Sequence, residues 1–256
     1  MNTKSVRITT TQPRASVPTR KRTTASTRAD WLVPAALIAL SFIPFLGGVI
    51  RLVGLAGGAE ITPENARFFA MPLPVVLHIL GALPFCILGA FQFAPGFRRR
   101  RPGWHRLAGR LLVLCGLTAG LSGLWMTQFY PLSPQLQTSL LYSFRMLFGS
   151  AMVLSITLGL AAILRRDIAR HRTWMIRGYA IGQGAGTQAL TALLWVLIFG
   201  TPDQHTHELL MGVSWAINLV VAEWIIRRKS SKKGPLLDLL AVLNTNNIPT
   251  IRSIIK

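Results

Sequence analysis

Six stretches of this chain run for about 20 residues with almost no charged side chain, the length that crosses the hydrocarbon core of a bilayer. They cover residues 31–53, 71–94, 107–130, 139–164, 174–200 and 209–226. Lipid offers no water to an unpaired backbone N–H or C=O, so segments of this kind must be helices. Only 14% of the residues are charged, against roughly 25% in a soluble domain, and 51% are hydrophobic. The expected fold is all-α, a polytopic transmembrane helix bundle of six predicted spans.

Charge then orients the spans. The formal net charge is +20, which read alone would suggest a nucleic-acid partner. Its distribution excludes that reading. Residues 1–30, 96–110, 165–177 and 227–256 hold 25 of the 28 Lys and Arg, and these segments alternate along the chain. The loops between them carry Glu60, Glu64, Asp203 and Glu208. This is the positive-inside pattern, with both termini expected in the cytoplasm and the basic loops against anionic lipid headgroups. A multi-pass membrane location follows as the expectation. Residues 1–30 lack the apolar core of a secretory signal and read as a disordered basic tail. Residues 31–228 form the membrane domain. Residues 229–256 are a second basic tail, in which 236–243 reads as a short amphipathic helix.

Two echoed segments mark the basic face. Pro102–Arg110 opens the third span and His171–Arg177 the fifth, each with a His-Arg pair, a Trp and a further Arg. His105 and His171 therefore sit at similar depth. Two facing imidazoles there are candidate axial ligands of a b-type haem, with Arg106, Arg110, Arg172 and Arg177 placed for its propionates. As interfacial anchors the same residues would simply hold loops to headgroups. Two histidines with few carboxylates make no convincing metal site.

The opposite half carries a second pair. His78 follows Met71 by seven residues and Arg145 follows Ser139 by six, which at about 1.5 Å per residue gives them nearly equal depth. His78, Ala82, Phe85, Gly89 and Gln92 fall on one helical face, so that face should meet protein or water rather than lipid. An arginine within a span needs a partner or a cavity, and the pair reads as an outward pocket for an anionic or quinone-like group. Asn218 and Glu223 lie on the sixth span, where Glu223, at the level of Arg110 and Arg177, reads as half of a structural ion pair or as a proton acceptor beside the inner histidines. Gly116, Gly120, Ala119 and Gly123, and then Gly178, Gly182 and Gly186, recur at four-residue spacing and suit close helix contact within a chain or across a homo-oligomer. The Gly182–Gly186 run follows no strand, so it is no dinucleotide loop. His205 and His207 read as residues of a solvated loop.

Taken together, His78-x-x-Gly81, Leu88-Gly-x-x-Gln92-Phe93, His105-Arg-x-x-Gly-Arg110, His171-Arg-x-Trp174-Met-x-Arg177 and Trp215-x-x-Asn218 with Glu223 resemble a bacterial integral-membrane family catalogued as domain of unknown function 2306. The resemblance covers roughly residues 70–226. It implies a membrane protein and no established activity. The polar residues point to an electron- or proton-handling protein that binds haem b or a quinone, with a non-enzymatic carrier or scaffold as the rival class. No nucleophile elbow, His-Glu-x-x-His or paired carboxylates mark a hydrolase.

Overall fold

The computed structural model describes residues 27–131 and 138–231, and all nine of its elements are α-helices. They are α1 (Thr27–Gly57), α2 (Ala66–Ala70), α3 (Pro72–Gln92), α4 (Pro95–Arg100), α5 (Pro102–Phe129), α6 (Ser139–Leu164), α7 (Ile168–Gly182), α8 (Gly184–Phe199) and α9 (Gln204–Ser231). Five of them are long and apolar enough to cross a membrane. Taken together, α7 and α8 pass the same test as a further candidate crossing, the fifth in chain order, bent by 43° at its break. The chain is a multi-pass membrane protein. Most of the 1–30 tail and the 236–243 segment lie outside the described residues.

Three boundaries differ from the sequence reading, each for a local reason. Pro102 sits at the first helical position, where its missing N–H costs nothing, so α5 starts there and brings His105 into its first turn. Asp167 accepts the Arg170 amide at 2.9 Å and caps α7, which therefore begins before Trp174. Asp203 does the same for the Thr206 amide, so His205 and His207 ride on the first turn of α9 rather than in a loop. The Thr206 hydrogen bonds also hold the Asp203 carboxyl below its ordinary pKa. Asp203 is thus a helix cap.

The core joins α3, α5, α6 and the α7–α8 break through Phe85, Leu112, Val113, Met152, Ile156, Tyr179 and Ile181. Its closest helix contacts are α3 with α5 and α6 with α7. Small residues permit them. A Cβ on Gly81 would sit 2.6 Å from the Cys115 carbonyl oxygen and 2.9 Å from the Ala119 amide. On Gly178 it would meet Ile156, on Gly182 the Phe85 ring, and on Gly186 the Leu40 backbone. The glycine faces are thus used inside one chain. Leu73, Leu80, Leu107, Leu114 and Leu121 point outward instead, which in a bilayer is the lipid side.

Because backbone cannot yield as a side-chain tip can, Gly81→Val should destabilise the protein by about 1–3 kcal/mol. Gly103, where a Cβ meets nothing within 4 Å, is the matched control. Thermal unfolding in detergent should separate Gly81→Val from an unshifted Gly103→Ala.

Candidate functional site

A cavity of about 480 Å³ opens between α1, α3, α5, α6, α8 and α9. Much of its wall is apolar, including Phe85, Met152, Met211 and Trp215. Trp215 is held by stacking on Phe148, with ring centroids 5.0 Å apart and planes 23° apart. Into this wall the helices bring His78, Arg145, Arg67, Tyr130, Gln183 and Gln188. His78 and Arg145, matched in depth by residue counting, share the one cavity.

The imidazole of His78 is fixed by α5. Its Nδ1 lies 2.8 Å from the Ala119 carbonyl oxygen, and a carbonyl can only accept, so Nδ1 carries the proton and Nε2 keeps a lone pair. Gly123 leaves room for the ring, since a Cβ there would stand 3.3 Å from it. Arg145 is different. It is half-buried, makes no hydrogen bond or ion pair among the described residues, and has Arg67 and Glu208 within electrostatic reach. Glu208 is buried and accepts from the Gln204 side-chain amide at 3.2 Å. A guanidinium inside a span costs about 3 kcal/mol on insertion scales unless something meets it. At the same end Arg51 and Arg67 each place a guanidinium 4.5 Å from the centre of the Phe68 ring.

The floor of the cavity is the break in the fifth crossing. Gln183 ends α7 and is buried. Its Oε1 accepts from the Ser41 hydroxyl at 2.9 Å, and its Nε2 donates to the Tyr179 hydroxyl at 2.7 Å. Tyr179 in turn donates to the Cys86 carbonyl at 2.6 Å. Asn218 spans the break: its Nδ2 donates to the Ala180 carbonyl at 3.0 Å, and its Oδ1 accepts from the Thr187 hydroxyl at 2.8 Å. The Cys86 thiol reaches the Gly182 carbonyl at 3.5 Å. Irregular backbone at membrane depth is tolerated only where protein or a cavity supplies such partners.

The basic end holds the other candidates, in separate roles. Arg177 donates to Glu223 at 2.5 Å and lies over the Trp174 ring, 4.7 Å from its centre, which ties α7 to α9. His171 turns Nδ1 to the Gly159 carbonyl at 2.8 Å, tying α7 to α6. His105 lies within electrostatic reach of His171 and Arg98. Its Nδ1 is buried without a hydrogen-bond partner among the described residues, and so is Nε2 of Gln92. Arg110 is exposed. None of these residues lines the cavity. Among the described residues no three His, Cys, Asp or Glu side chains gather closely enough to hold a metal ion.

Residues 75–226, well over half of the chain, match the family model described as "Predicted membrane protein (DUF2306)". The chain belongs to this family. No curated protein and no solved structure matches it. The matched segment of this DUF2306 protein contains His78, His105, His171, Arg145, Asn218 and Glu223, while Ser41 and Arg67 of the cavity wall fall before it.

Sequence reasoning missed Gln183, Tyr179, Ser41 and the part played by Arg67. A signal existed for Gln183. It is an amide in mid-span between two glycines, and such an amide has to be satisfied by protein. If the clamp holds the break, Asn218→Leu strands the Ala180 carbonyl and the Thr187 hydroxyl, at about 1–3 kcal/mol for each buried group. Unfolding in detergent should show Asn218→Leu well below wild type, with Thr187→Val intermediate.

Proposed function

We propose that this membrane protein binds a small amphipathic molecule drawn from the bilayer. Its oxygen-bearing head would rest against Arg145 and His78, and its apolar body along Phe85, Met152 and Trp215. A quinone has this form, and so does a hydrophobic acid. One observation carries the reading. Arg145 lines an otherwise largely apolar cavity and has no hydrogen bond or ion pair among the described residues. Cavities of about 300–1,000 Å³ with a few convergent polar groups are the usual form of small-molecule sites, and this one has about 480 Å³. His78 adds a ring nitrogen that can accept a proton, which keeps proton exchange with a bound head chemically available.

The same cavity weighs against haem b on the inner pair. It touches neither His105 nor His171, and Arg177 is engaged by Glu223. Protein purified from haem-replete cells should therefore show no Soret band before or after dithionite.

The test is photolabelling in membranes with a diazirine-tailed amphiphile, supplied in a quinone and in a carboxylic acid form. The expected result is saturable labelling of peptides from α3, α6 and α9 by at least one form, lost in a folded Ala82→Trp variant that fills the cavity. Labelling spread over lipid-facing residues such as Leu73 and Leu114, and unchanged by that variant, would overturn the proposal.

A further inference from the structure

The charge on the cavity wall narrows the ligand class. Arg67 and Arg145 both line the cavity, and no Asp or Glu does. The two guanidiniums stand within electrostatic reach of each other, so in a poorly solvated space each raises the cost of the other. Glu208 of α9, the carboxylate that acts on Arg145, forms no ion pair with it among the described residues and is engaged by Gln204. Arg51 packs on the same Phe68 ring as Arg67. Burial and the Arg51 charge push the Arg67 pKa below the ordinary value and outweigh the opposing effects of Tyr130 and Glu64. His78 faces the cavity from α3, and its fixed tautomer leaves a lone pair rather than a second donor. The Tyr130 hydroxyl is already committed to the Met71 carbonyl at 2.7 Å. What the wall holds in surplus at this end is therefore positive charge and guanidinium N–H groups.

Resting on the binding role proposed above, we infer that the ligand's head is an anion, a carboxylate or phosphate on an apolar tail, and that Arg145 is its principal contact with Arg67 beside it. Guanidinium meets planar or tetrahedral oxyanions with paired N–H donors, a geometry a single quinone carbonyl uses only in part. The apolar tail runs toward Phe85, Met152 and Trp215, away from the arginines.

The experiment uses the full-length protein in neutral phosphatidylcholine nanodiscs and reads quenching of Trp215 fluorescence, with Trp215→Phe giving the background from the other tryptophans. The probes are bromine-tipped dodecanoate, the matching alcohol and a short-tailed quinone. The acid should saturate at a concentration on the order of tenfold or more below the alcohol and the quinone, since a hydrogen-bonded charge is at stake. Arg145→Gln should abolish that preference and Arg145→Lys should keep part of it, while both retain the wild-type unfolding temperature to within a few degrees. Adding phosphatidylglycerol separates the two sources of the anion. Displacement of the acid assigns the head to a lipid phosphate, and persistence assigns it to a free acid. Equal affinity for acid, alcohol and quinone would overturn the anionic head and leave the binding role standing. Saturable binding of no probe would overturn both.

Discussion

Between Tyr179 and Thr187 the fifth crossing stops being one helix, and the polar centre of the protein follows from that. A helix crossing lipid satisfies its own backbone, whereas a helix bent by 43° does not. The carbonyls of Ala180 and Gly182 are met by Asn218 from α9 and by the Cys86 thiol from α3. Gln183, at the bend, is met by Ser41 from α1 and by Tyr179. Three neighbouring helices are thus recruited to one point. Removing a partner does not only subtract a hydrogen bond; it leaves a polar group in a medium that offers no replacement.

Packing and cavity arise from the same residues. Gly81, Gly116 and Gly178 bring backbones and core side chains together below ordinary side-chain spacing, giving the tight packing of α3, α5, α6 and α7. Gly182 and Gly184 lie at the bend, where the Phe85 ring and Trp215 close over them. Both aromatic residues also face the cavity, so the floor of the site is the surface of the core. Arg145 and Arg67 line the same cavity from α6 and α2, so charged groups and a largely apolar wall share one space, a combination that suits an amphiphile.

Much of the fold was legible in the sequence because lipid makes hydropathy and charge nearly sufficient. The α6 boundaries agree with the apolar run to the residue, and residue counting alone set His78 beside Arg145 as a pair, two residues that line one cavity. An ion pair at Glu223 was readable for a similar reason, since a carboxylate near a span end needs a cation, but the choice of Arg177 over Arg110 shows only in the fold. What stayed hidden depends on contacts between distant segments. Gly182–Gly186 was assigned to close packing, as the tight surroundings of Gly182, Gly184 and Gly186 show, but its composition does not say that the helix breaks there. Ser41 on the first span gave no sign that it would meet Gln183, 142 residues away. His105 and His171 read as sharing one membrane surface, and they lie within electrostatic reach of each other, yet their echo says nothing of cavities. Arg67 looked like a loop-edge charge because α2 folds back over the bundle only in three dimensions.

Native mass spectrometry of the protein released from its own membrane bears most directly on the cavity as a ligand site. A small amphipathic adduct should accompany the wild-type chain and be missing from an Ala185→Trp variant, in which the indole occupies part of the cavity wall. A wild-type chain that flies bare, or adducts identical in both proteins, would contradict a binding role for this space.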